Sequence, residues 1–148
     1  LPIAEICRRA REAGILTIID GAHVPGHLPL DLTAIGADFY AGNCHKWLGA
    51  PKGAGFLYAR RAQQPLLDPL VVSWGWQEDG SGSFLDRMEW TGTRDIAAYL
   101  SVPTAIAFQA EYDWPGRPVG GHTLLQAIRG RVQSHTGLPP LRPATPDG

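Results

Sequence analysis

The chain has 148 residues, of which 44% are apolar and 18% are charged, and this composition is typical of a soluble globular domain. Its formal net charge of −1 argues against nucleic acid or an anionic membrane as a partner, and no apolar run is long enough to span a bilayer. The sequence opens without a charged and apolar leader, and two cysteines do not make a disulfide framework, so we expect a cytoplasmic protein.

Helical and strand patterns alternate in the first half of the chain. A helical pattern lies at Ile3–Ala13, ended by Gly14, and Leu32–Ile35 is a short turn or helix. The predicted strands lie at Ile15–Ile19, Ala37–Ala41 and Gly55–Ala59. The β-branched run at 15–19 predicts a buried strand. Helix followed by strand, repeated, favours an α/β domain with a mostly parallel sheet.

The second half shows a looser pattern. The predicted features are a short strand at Leu70–Ser73, a Gly/Ser loop at Gln77–Phe84, a helix from an Asp95 N-cap to about Tyr112 with a kink at Pro103, a helix marked by Leu124, Leu125, Ile128 and Val132 that stops near Gly137, and a frayed Pro-rich tail at Pro139–Gly148.

Chemically reactive side chains cluster in segments that follow strands. Asp20-Gly21-Ala22-His23 follows the first strand and Asn43-Cys44-His45-Lys46 follows the second. Because ligands of open α/β sheets bind at the carboxyl ends of the strands, we expect these segments to form a site. A third segment, Trp90–Asp95, opens a predicted helix.

Asp20 and Lys46 have the clearest chemistry. A carboxylate at the end of a buried strand is poorly hydrated and favours a cationic partner such as a protonated pyridine nitrogen, although a turn aspartate before Gly21 gives the same pattern. Lys46 lies in a stiff, partly apolar loop, where burial favours the neutral amine that forms imines. The only lysines are Lys46 and Lys52, and a surface loop lysine is the alternative interpretation.

Three further segments offer weaker signals. His45 and Asn43 are candidate donors to a phosphate, as are Gly92 and Thr93 at a helix start, although a loop histidine and simple capping explain them equally well. His23 and His27, four residues apart, with Cys44-His45, also suggest a metal site. Pro25 and Gly26 argue against the helix that such a His spacing requires, so we predict no metal.

Together these motifs resemble one family. The segments Asp20–His23, Gly36–Tyr40 and Asn43–Gly53 resemble the core of the class V, fold-type I enzymes that use pyridoxal phosphate (PLP). The segments Leu70–Gly75 and Trp90–Asp95 are most similar to its isopenicillin N epimerase-like branch. The resemblance covers about Ile3 to Pro143. It implies a three-layer α/β fold, with 1–138 as part of the large PLP-binding domain and 139–148 as a tail.

The resemblance also implies a role for each site residue. Lys46 would form the internal aldimine, Asp20 would pair with the pyridinium nitrogen, and His23 would contact the phenolic oxygen of the cofactor. His45 and Asn43, at a position where serine is common in the family, would bind the phosphate. Thr93 and the Gly92 amide would reach the phosphate of the neighbouring subunit in a homodimer.

The implied function is the PLP-dependent transformation of an amino acid, with epimerase, lyase and transaminase chemistry all open. A desulfurase role for Cys44 is rejected, because the reactive cysteine of that branch lies on a later loop, and we expect Cys44 to be a packing residue. Family members are much longer than this chain, so we expect a fragment that binds PLP weakly by itself. A truncated, catalytically inactive remnant is the alternative.

Overall fold

The computed structural model describes residues 1–114, 116–139 and 141. The first half of the chain follows the predicted alternation of helices and strands. The elements are helix α1 (Ile3–Glu12), strand β1 (Ile18–Asp20), helix α2 (Leu32–Ile35), strand β2 (Phe39–Asn43) and strand β3 (Gly55–Ala59). The α/β class is therefore confirmed.

Local contacts stabilise α1 and α2 and set where they begin or end. α1 buries Cys7 and pairs its exposed charges along one face, with Arg8 2.7 Å from Glu5. Gly14 then adopts a left-handed φ of 70°. The Asp31 side chain caps α2 by accepting the amides of Thr33 and Ala34, both at 2.9 Å.

The sheet has the order β1-β2-β3. β1 and β2 are parallel, with Ile18 opposite Phe39 and Asp20 opposite Ala41. β2 and β3 are antiparallel, with Asn43 opposite Gly55. The β2–β3 connection contains no crossover helix, and a direct return of the chain pairs strands antiparallel. The parallel pair places the ends of β1 and β2 at one edge, where the sequence predicts the site.

The prediction of a buried first strand at Ile15–Ile19 was wrong in extent and in burial. β1 begins only at Ile18, whose side chain is 77% exposed, and Ile15 and Leu16 are also exposed. Within the described residues β1 pairs with β2 alone, so its outer edge has no neighbouring strand. An edge strand without cover on its apolar side chains cannot bury them, whatever its sequence favours.

A buried polar network joins the starts of β1 and β2 to the end of β3. Asp38 is 3% exposed, and its Oδ2 accepts the Thr17 amide at 2.9 Å and the Thr17 hydroxyl at 3.1 Å. The Thr17 hydroxyl in turn accepts the Asp38 amide at 3.0 Å. Arg60, after β3, places Nη2 2.6 Å from Asp38 Oδ1. These contacts replace the water that a buried carboxylate loses.

The second half is helical. A 3-10 helix (Arg61–Leu66) is followed by α3 (Phe84–Glu89), α4 (Ala97–Leu100), α5 (Val102–Glu111) and α6 (Gly116–Thr136). Sequence patterns did not predict α3, which a Ser83–Asp86 capping box starts. The predicted strand at Leu70–Ser73 is absent; this segment is irregular, and its apolar side chains at 70–72 are exposed with no strand to pair them.

The predicted helix from Asp95 to Tyr112 is two helices, broken at Ser101. Pro103 lies in the first turn of α5, where its missing N–H removes no helical hydrogen bond, so it starts a helix rather than kinking one. Asp95 is not the N-cap that the sequence predicted, because Ile96 takes that position, but the Asp95 carboxylate still accepts the Ala97 amide at 2.8 Å.

The last helix ends as predicted, with Gly137 at a φ of 69°. Of the predicted tail at 139–148, residues 140 and 142–148 lie outside the described residues. No helix among the described residues is both long enough and apolar enough to cross a membrane.

Candidate functional site

The carboxyl edge of the parallel strands brings two of the predicted segments together. Asp20 ends β1 opposite Ala41, and the next amide, Gly21 N–H, donates to the Ala41 carbonyl at 2.9 Å. β2 continues two residues further, to Asn43. The Asp20–His23 and Asn43–Lys46 segments therefore leave the sheet side by side.

Asp20 is hydrated, contrary to the expectation of a desolvated carboxylate. It is exposed, and its Oδ1 accepts the Ala22 amide at 3.0 Å, which is the turn geometry weighed as an alternative from the sequence. The exposure follows from the edge position of β1. One amide hydrogen bond leaves acceptor capacity on the carboxylate for a cationic partner.

Tyr40 lies directly beneath this turn and was not predicted as a site residue. Its side chain is 1% exposed, and a Cβ at Gly21 would collide with its ring. Burial, and then the negative charge of Asp20, raise the pKa of Tyr40. Its hydroxyl has no hydrogen-bond partner within the described part of the chain. Only the three-dimensional contact with Gly21 identifies Tyr40, because a tyrosine in a strand is ordinary in sequence.

The loop that carries Lys46 is held by its own backbone. The Cys44 amide donates to Ala54 O at 3.2 Å, the Ala50 amide to Cys44 O at 2.9 Å, and the Gly49 amide to Lys46 O at 3.1 Å. Lys46, His45 and Asn43 are partly buried. These three hydrogen bonds hold the backbone on both sides of Lys46, as expected for an ordered loop.

Cys44 is a packing residue, as expected. It forms a buried cluster with Ala50 and Ala54, against which Leu48 and Val102 pack. Burial raises the pKa of the Cys44 thiol. A thiol held in the protonated form is a poor nucleophile, so the structure gives Cys44 no reactive role.

The segment between the strands is a series of turns, as Pro25 and Gly26 predict. His23 is exposed, whereas the His27 ring stacks on Trp47 with centroids 4.1 Å apart and planes 10° apart. Within residues 1–114, 116–139 and 141, no three His, Cys, Asp or Glu side chains come close enough to hold a metal ion.

Gly92 and Thr93 lie in the loop between α3 and α4 rather than at a helix start, which corrects the prediction for Trp90–Asp95. Gly92 has a φ of 104°, and the following helix begins only at Ala97. Across the described residues, no hydrogen bond or salt bridge joins this loop to the Asp20 or Lys46 segments. Arg94 is placed over the Tyr99 ring at 5.1 Å, a structural contact.

Comparison with known proteins assigns these motifs to a family. A family model described as aminotransferase class-V matches residues 1–141. Isopenicillin N epimerase of Amycolatopsis lactamdurans is 41% identical over 157 aligned positions, which cover 99% of this chain and 39% of that protein. Isopenicillin N epimerase of Streptomyces clavuligerus is 48% identical over 123 positions, which cover 75% of this chain and 31% of that protein.

A solved structure shows the same fold. The apo structure of a cysteine desulfurase from Thermococcus onnurineus NA1 superposes with a TM-score of 0.75 at 23% identity, over 93% of this chain and 35% of that one. The chain thus spans well under half the length of these relatives.

Proposed function

Since the chain belongs to the class V aminotransferase family, in the branch of the isopenicillin N epimerases, we propose that it carries the PLP-binding core of an enzyme that transforms an amino acid. The observation that carries the proposal is the shared carboxyl edge of β1 and β2, which holds the carboxylate of Asp20 and the loop of Lys46.

The residues at this edge fit the chemistry of PLP. The cofactor has a basic ring nitrogen, an aldehyde and a phosphate. Asp20 offers a carboxylate with free acceptor capacity for the nitrogen, and the partly buried residue Lys46 offers a primary amine for the aldehyde. His45 and Asn43, also half-buried beside it, offer donors for the phosphate.

We assign the following roles to these side chains. Asp20 keeps a proton on the ring nitrogen by pairing with it, and His23 donates to the phenolic oxygen. Lys46 would hold the cofactor, and its Nζ, once free, would accept the proton of the substrate α-carbon. Bound PLP supplies an electron sink that acidifies this C–H bond. His45 and Asn43 orient the phosphate.

The partners proposed for this site are an amino-acid substrate and a second subunit. The names of the two 41–48% identical relatives favour epimerisation of an α-amino acid, in which a proton is returned to the opposite face. We further propose that Thr93 and the Gly92 amide serve the partner subunit in a homodimer, since they lie in a loop separate from the Lys46 segment. Two free, buried cysteines support a cytoplasmic location.

The absorbance of added PLP tests the proposal, because binding through a lysine amine creates a band in the near-visible. We expect the band in the protein and in a Lys52→Ala variant, and its loss in Lys46→Ala. Lys52 is a matched control, because it is the only other lysine and lies six positions away in the same loop region. A band that persists in Lys46→Ala would refute the assignment, and no band in any of the three proteins would favour the inactive remnant.

A further inference from the structure

The two loops that carry His23 and Lys46 have no strand pairing to fix them relative to each other. β1 ends at Asp20 and β2 at Asn43, and both site residues lie three positions beyond those ends. A proton-transfer site requires its groups to be held within fractions of an ångström. Some contact outside the sheet must therefore align the two loops.

Helix α5 and the turn that follows it provide such contacts. Gln109 Nε2 donates to the Trp47 carbonyl at 2.7 Å, across 62 residues of sequence. Trp114 Nε1 donates to the Gly26 carbonyl at 2.8 Å, across 88 residues. Both acceptors are backbone carbonyls, so each bond restrains the path of the chain rather than a side chain.

The loops also touch each other at the same place. The His27 ring stacks on Trp47. Gly26 has a φ of 78°, and a Cβ there would lie 2.6 Å from Leu48 Cα and 2.7 Å from Gln109 Nε2. Only a residue without a side chain permits this approach. The two loops and α5 thus meet at one point, next to Lys46.

We propose that Gln109 and Trp114, the bridging pair, are positioning residues that align the Lys46 amine with the His23 loop. The inference rests on the proposed function, because that function is what requires the two loops to be aligned. Trp47 directly follows Lys46, so a shift of its carbonyl moves the base of the lysine side chain. Neither member of the pair touches the reacting atoms; each acts through the loop backbone.

Hydrogen exchange tests the alignment without any cofactor. The amides of Gly49 and Ala50 report on the Lys46 loop. The amide of Tyr40, which pairs with Tyr58 of β3, is an internal reference. In Gln109→Met and Trp114→Phe, which remove the N–H and keep most of the volume, loop exchange should rise about 2- to 12-fold, the effect of one lost hydrogen bond. Exchange at Tyr40 should not change.

Reductive labelling tests the purpose of the alignment. PLP and borohydride label accessible lysine amines, and peptide mass spectrometry gives the ratio of Lys46 to Lys52 labelling. We expect the bridging-pair variants to lower this ratio, which a purely structural contact would not do. The matched controls are Trp74→Phe and Gln77→Met, which make the same substitutions at exposed residues.

The results of the exchange and labelling experiments distinguish the positioning role from the proposed function. Unchanged loop exchange, or faster exchange with an unchanged labelling ratio, overturns the positioning role. If Trp114→Phe raises exchange throughout the chain, it has unfolded, and the milder Gln109→Met decides. If the unsubstituted protein itself shows no preference for Lys46, the proposed function fails, and exchange alone then decides whether the bridging pair aligns the loops.

Discussion

Replacing Asp38 by alanine should destabilise the protein far more than replacing a comparable surface aspartate. Asp38 Oδ2 accepts two hydrogen bonds from the buried Thr17, and its removal leaves the Thr17 amide without an acceptor. A buried polar group left unpaired costs about 1–3 kcal/mol, and the hydroxyl, which can rotate, adds part of the same amount. The ion pair with Arg60, whose side chain is 30% exposed, adds at most about 1 kcal/mol.

The expected loss for Asp38→Ala is therefore about 2–5 kcal/mol. Asp31→Ala is the matched control, because Asp31 also accepts two hydrogen bonds but is exposed at a helix start, where a lost cap costs about 0.5–2 kcal/mol. Urea unfolding followed by circular dichroism measures both. With a slope of about 2 kcal/mol per molar, a 3 kcal/mol loss lowers the midpoint by about 1.5 M. Equal losses for the two variants would refute the importance of the buried network.

The same network predicts a pH dependence. Burial would raise the pKa of Asp38, but the Thr17 hydrogen bonds and the Arg60 and Arg11 charges outweigh it and hold the pKa below the ordinary value. Its stabilisation is thus present above about pH 4 and is lost as the pH falls through the lowered pKa, so the stability gap to Asp38→Asn should shrink between pH 6 and 3. Gly21→Ala should cost about 1–3 kcal/mol, because its Cβ would meet the buried Tyr40 ring, whereas Gly120→Ala in α6, with open space around it, should stabilise slightly; equal melting temperatures would contradict this. Tyr40→Phe should be neutral or stabilising, since it removes a buried hydroxyl without a partner in the described residues, and a loss above about 1 kcal/mol in urea would show that the hydroxyl is satisfied.

Sequence patterns correctly predicted the elements that are set by interactions between residues near each other in the sequence. The β3 bounds match the Gly55–Ala59 pattern, α2 has the bounds predicted, and Gly14 and Gly137 end helices with the left-handed φ that favours glycine. Predictions from hydrophobic periodicity were wrong where the burial of a segment depends on its neighbouring strands. The run at 15–19 is apolar enough for a buried strand, yet its burial depends on a second strand that the described residues do not supply.

The segments Asp20–His23, Gly36–Tyr40 and Asn43–Gly53 were together enough to suggest the family, because the order and spacing of several motifs are specific even where each residue alone is not. The hydration of Asp20 was not predictable, since it depends on the sheet edge. The roles of Gln109 and Trp114 were equally hidden. Their hydrogen bonds span 62 and 88 residues, and no periodicity or motif encodes a contact at that range.

The amine that binds PLP can be located directly by reductive labelling. The protein is incubated with PLP, reduced with borohydride, digested, and analysed by mass spectrometry for the added pyridoxyl group. We predict the label on the peptide that contains Lys46, well above the level on Lys52 or on the amino terminus, and we expect an added amino acid to reduce this labelling by competition. Equal labelling of Lys46 and Lys52, or labelling of Lys52 alone, would contradict the claim that this chain carries a PLP site built on Lys46.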